Sequence, residues 1–164
     1  MAIFEKKRCW SVRKLSFTFA ACILTLQCCR AHAGDADDTK KIQGTWEIVE
    51  LIQYGRNVDF QIIKGTKFVF SGDRLSIVPA SDKVEEFEKR SFFFKLDPTK
   101  KPAEVELKAL DGNFKGIAST GIYELKGDTL RWCQSDAAKA PERPKEFNSP
   151  PKSTIYLFTL KLLK

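Results

Sequence analysis

Hydrophobic and polar side chains alternate through much of residues 42–164, and 121–133 (GIYELKGDTLRWC) read as two short strands joined by a two-residue turn. Ile122 and Glu124 fall on one face and Tyr123 and Leu125 on the other. Beyond Gly127-Asp128, Leu130 and Trp132 oppose Arg131 and Cys133. A period of two is what a half-buried strand requires. Gly at the first of two central turn positions suits a type II′ hairpin, because only Gly takes the positive φ there without strain. The device returns at Gly72-Asp73, predicting a second hairpin from 66–71 and 74–78, with Phe68, Phe70, Leu75 and Ile77 inward and Pro79 as its stop.

The remaining elements follow from the same pattern. Residues 42–54 (IQGTWEIVELIQY) predict a first strand with Trp46 and Ile48 on one face; alternation fails over 49–52, so a bulge or a doubly buried stretch is expected there. Residues 59–65 predict one helical turn across a barrel end, with Asp59 as N-cap and Gly65 past the C-terminus. Strands are expected over 90–96 (Phe92 and Phe94 on one face), 103–110 (Val105, Leu107 and Ala109 inward) and 154–163 (Tyr156, Phe158, Leu160 and Leu162 together). Residues 81–89 fit either a helical turn or the start of a strand. Residues 134–153 hold four prolines and exceed a hairpin loop in length, so they must cross or cover something. Eight or nine strands and at most a short helical turn predict an all-β, antiparallel up-and-down barrel, in which closure removes exposed edges.

The N-terminus changes how composition is read. Lys6, Lys7, Arg8, Arg13 and Lys14 precede an apolar run over 15–29, and Ala31-His32-Ala33 then forms a small-x-small pattern. This predicts a secretory signal over 1–33, cleaved near Ala33, and a periplasmic or secreted mature protein. The run is short of the roughly 20 apolar residues of a membrane span, so none is expected after cleavage. Leu26 ahead of Cys29 leaves lipidation of Cys29 as the alternative, against which Gln27 and Cys28 count. Residues 34–41 read as a solvated polar tail and 42–164 as one domain.

Removing 1–33 takes six of 28 basic and one of 21 acidic side chains, so net charge drops from +7 to +2. The remaining charges alternate in sign, which excludes an electrostatic case for nucleic acid. Four of five cysteines leave, and Cys133 alone predicts a fold that rests on its core instead of disulfides, with Cys133 itself a small buried hydrophobe.

Several blocks together carry a resemblance: Ile42-Gln43-Gly44-Thr45-Trp46, Lys95-Leu96-Asp97-Pro98-Thr99-Lys100-Lys101-Pro102, Gly121-Ile122-Tyr123-Glu124-Leu125 with Gly127-Asp128-Thr129-Leu130, and Arg143-Pro144 before Glu146-Phe147. In order over 42–161, they resemble a family of secreted planctomycete proteins regarded as lipocalin-like, which has no established activity. Gly44-Thr45-Trp46 also resembles the G-x-W of lipocalins, implying a structural role for Trp46 at the closed end of the barrel.

Candidate chemistry is sparse. With His32 in the signal, residues 34–164 hold no histidine, which excludes Ser-His-Asp and Cys-His catalysis and His-ligated metal sites. Glu104 and Glu106 beside Lys108 read as a solvated strand face, and no glycine-rich phosphate loop precedes a helix. No enzyme, cofactor or metal is expected. Two readings remain for the inward aromatics Phe68, Phe70, Phe92, Phe94, Tyr123, Trp132, Tyr156 and Phe158. They line a site for a small apolar ligand with 134–153 over its mouth, or they fill the barrel of a monomeric module that meets an envelope partner, as an inhibitor would, through that loop. The barrel resemblance puts ligand binding first.

Overall fold

The computed structural model describes residues 38–80, 89–136 and 142–164. The signal, most of the polar tail, the ambiguous stretch at 81–88 and the start of the proline-rich segment lie outside the described residues. The elements are β1 (Gly44–Gln53), β2 (Arg56–Asn57), α1 (Phe60–Ile63), β3 (Lys67–Ser71), β4 (Arg74–Val78), β5 (Arg90–Asp97), β6 (Ala103–Ala109), β7 (Ala118–Lys126), β8 (Thr129–Ser135) and β9 (Ile155–Leu162).

Every neighbour pairs antiparallel, and β1 pairs with β9 as well as β3. Eight strands therefore close into an up-and-down barrel of lipocalin-like architecture, with two-residue β2 a short ribbon on the end of β1. Closure matters energetically because it pairs edges that would otherwise recruit another chain.

The turn chemistry works as the residues dictate. Ser71 pairs with Arg74 and Lys126 with Thr129, so both hairpins have two-residue loops. Gly72 (φ 62°) and Gly127 (φ 56°) take positive φ while Asp73 and Asp128 do not, as a type II′ turn demands. The break in alternation on β1 is a bulge between Ile48 and Glu50, which turns both Ile48 and Leu51 inward although they are three residues apart. Asp59 caps α1 by accepting from Gln61 N at 2.9 Å, and Gly65 follows at φ 78°.

One barrel end is sealed. Residues 38–41 are helical, Ile42 is fully buried, and Trp46 donates its Nε1–H to Ile42 O at 2.7 Å. Tyr123 donates its hydroxyl to Asp38 Oδ2 at 2.8 Å, and Gln43 exchanges hydrogen bonds with the backbone of Gly72. The tail expected to be solvated is therefore docked from Asp38 onward. The segment supplies the acceptor for the Trp46 indole N–H and one for the Tyr123 hydroxyl.

Candidate functional site

Strand polarity assigns the other end. β1, β4, β6 and β8 finish there, and β3, β5, β7 and β9 begin there, so their first or last inward residues form a ring. That ring bounds a cavity of about 310 Å³. Its apolar surface comes from Leu51, Phe68, Ile77, Phe92, Ala109 and Phe158. Its polar surface comes from Gln53, Ser119, Gln134 and Tyr156 on the strands, with Asp111, Asn113 and Asp136 from the loops above. A 3₁₀ turn at Gly112–Phe114 supplies part of the rim, where Phe114 lies under the Arg90 guanidinium at 5.3 Å.

The eight aromatics anticipated from alternation divide at this level. Phe68, Phe92, Tyr156 and Phe158 line the cavity. Phe70, Phe94, Tyr123 and Trp132 do not; they are packed beneath it. Phe70 meets Phe94 edge to face at 5.2 Å, Trp132 sits 5.7 Å from Phe70 and 6.4 Å from Tyr123, and none of the four is more than 7% exposed. The interior is thus filled in its closed half and hollow in its open half, and Phe68 and Phe158, 5.2 Å apart, form the floor between. The physical reason is shape: the bulky rings pack against one another over the sealed end, whereas the upper positions carry the small residues Ala109 and Ser119.

Hydrogen bonding orders the polar wall. Trp132 Nε1–H donates to Gln134 Oε1 at 2.9 Å, and Gln134 Nε2 donates to Ser119 Oγ at 2.7 Å, with Ser119 only 3% exposed. The Tyr156 hydroxyl bonds to Gln53 and Tyr54; burial first, then the charge of Asp136, raises its pKa, so it stays neutral. Lys89 and Arg90 are balanced at the mouth by Asp111 and Asp136. Asp111 also accepts from Ser91 N at 3.0 Å.

Of the proline-rich segment, Gln134, Ser135 and Asp136 border the cavity, and residues 137–141 lie outside the described residues. Residues 142–153 lie on the outside of the wall. Phe147 packs over Ile122, Cys133 and Leu157, with Arg131 4.5 Å above its ring. Ser149 Oγ donates to Ile155 O at 2.6 Å. Arg143 forms ion pairs with Glu104 and Glu106, so those carboxylates anchor the loop instead of facing only water. The outer face of β7, β8 and β9 is apolar at these positions, and leaving it bare would expose a hydrophobic patch. Cys133 is part of that patch: fully buried, 3.6 Å from the carbonyls of Glu146 and Asn148, with burial pushing its thiol up to about 11.

Gln134, Ser119 and the rim turn escaped the aromatic criterion. The signal was present nonetheless, since continuing the period of two from Trp132 reaches Gln134, and from Tyr123 backward reaches Gly121 and Ser119. Among the described residues no group of three or more His, Cys, Asp or Glu could hold a metal ion, and no helix is long and apolar enough to cross a membrane. Compared with protein-family models, curated proteins and solved structures, the chain finds no match. The fold and the cavity therefore carry the functional argument.

Proposed function

We propose that this chain is a non-catalytic, extracytoplasmic binding barrel that holds a small, largely apolar ligand in its open half. The observation that carries the reading is the cavity of about 310 Å³ with an aromatic floor beneath a ring of neutral polar groups. Ligand sites are concave, mostly apolar and furnished with few polar groups, and this volume lies at the small end of their range of about 300–1,000 Å³. The resemblance to secreted lipocalin-like proteins points the same way. So does the three-part pattern in 1–33 for a site of action outside the cytoplasm. A closed ring of strands offers no long free edge to a second copy, which favours a monomer.

A non-catalytic role is favoured by what lines the cavity: no histidine or cysteine, and two carboxylates matched by two cations at the rim. Native mass spectrometry of residues 34–164, purified from the natural source without organic solvent, tests the reading. A stoichiometric adduct lost on denaturation supports a carrier and gives the ligand class by mass. A clean apo mass together with no uptake of added apolar compounds overturns it.

A further inference from the structure

We infer that the ligand presents a neutral carbonyl oxygen to Ser119 and Gln134, an inference that rests on the binding reading above. Trp132 sets the orientation of the Gln134 side chain. An indole N–H can only donate, so the carboxamide of Gln134 must turn its oxygen to Trp132 Nε1, 2.9 Å away. Its NH₂ group then faces Ser119 Oγ at 2.7 Å. One of the two amide protons is used there, and the Ser119 oxygen is used as an acceptor. What remains is a second amide proton on Gln134 and the hydroxyl proton of Ser119. Both residues line the cavity, and Ser119 is 3% exposed. Gln134 pairs with Gly121 on β7, which leaves that side of the carboxamide without an opposing side chain, and with Tyr156 on β9, which borders the same cavity.

The wall therefore offers two neighbouring donors to whatever occupies the cavity. Buried donors left unpaired are penalised, so the matching ligand group is an acceptor. A carbonyl oxygen has two lone pairs and takes both protons. A carboxylate is a poorer match, because burying its charge needs an uncompensated cation, and Lys89 and Arg90 are offset by Asp111 and Asp136. The ligand class is then a ketone, aldehyde, ester or amide on an apolar body that rests on Phe68, Phe92 and Phe158.

Four probes of one shape family test this by calorimetry or tryptophan fluorescence on residues 34–164: 2-acetonaphthone, 2-isopropylnaphthalene, 1-(2-naphthyl)ethanol and 2-naphthoate. The ketone should bind about five- to tenfold tighter than the isopropyl compound, the factor one to two net hydrogen bonds supply. Ser119→Ala should remove about threefold or more of the ketone's affinity and leave the isopropyl compound unchanged. Gln134→Glu keeps an acceptor for Trp132 but turns the Ser119 proton onto the new carboxylate, so the alcohol should overtake the ketone. Near-ultraviolet circular dichroism of the buried Trp46 and Trp132 checks that this variant keeps its packing. Equal binding of ketone and isopropyl compound, or tightest binding of 2-naphthoate, overturns the carbonyl inference while leaving the binding barrel intact. Failure of all four to bind removes the binding reading itself.

Discussion

Alanine at Phe94 and alanine at Phe92 should do different things, although the residues are two apart on one strand and face the same way. Phe94 is 7% exposed and stands edge-on to Phe70 at 5.2 Å within the packed core. Truncating a Phe in such a place removes its transfer energy and leaves a hole, at about 3–5 kcal/mol. Phe92 is half-buried and already borders open space, so its loss enlarges an existing cavity. Half of the roughly 1.5–3 kcal/mol gained by burying such a side chain gives about 1 kcal/mol. Urea unfolding of residues 34–164 reads the difference. With a slope of about 1–3 kcal/mol/M, Phe94→Ala should lower the midpoint by roughly 1–5 M and Phe92→Ala by roughly 0.3–1 M, three- to fivefold less at any one slope. Binding of 2-acetonaphthone should show the opposite order, weakened by Phe92→Ala and retained by Phe94→Ala below its transition. Equal losses of stability from the two substitutions would mean that the barrel is filled throughout, and the division into two halves would be wrong.

Three further outcomes follow from other parts of the wall. A Cβ at Gly121 would lie 2.5 Å from Cys133 O and 3.1 Å from Val105 Cγ1, so Gly121→Ala should destabilise by about 1–3 kcal/mol in the same urea assay, and a neutral result would refute that close approach. Cys133 ionises near 9 when unfolded and near 11 when folded, so the unfolded state loses its proton first and stability should fall between those pH values, by at most about 1.4 kcal/mol per unit. Cys133→Ala should flatten that decline, and iodoacetamide at pH 8 should modify the wild-type thiol only in denaturant; ready alkylation of the native protein would contradict its burial. Arg143→Ala should free the docked loop and expose the Lys145-Glu146 bond to trypsin, whereas rapid cleavage there in the wild type would mean the loop is not held against the wall, as a free inhibitory loop would behave.

The barrel was legible because each strand declares itself locally. Period-two alternation, Gly-Asp turns and Pro79 act over a few residues, and even the bulge showed as Ile48 and Leu51 falling out of phase. What sequence could not separate was height along the barrel axis. Phe92 and Phe94 have the same chemistry and parity, and only the register of β5 against β4 and β6 decides that one reaches the cavity and the other the packed half. The proline-rich segment posed a similar difficulty. Its length demanded that it cover something, but the apolar patch it covers is assembled from Ile122, Cys133 and Leu157 on three strands, two of which had outward residues that looked unremarkable one at a time. The docking of residues 38–42 was missed for the same reason, since Asp38 finds its partner in Tyr123, 85 residues away.

The most direct measurement is a nitrogen-15 amide titration of residues 34–164 with 2-acetonaphthone. The hollow open half predicts saturable shifts at Ile77, Phe92, Ser119, Gln134 and Tyr156, with Leu96, Val105 and Leu130 at the sealed end unmoved. Shifts concentrated at the sealed end or under the 142–153 loop, or no saturable change at all, would contradict it.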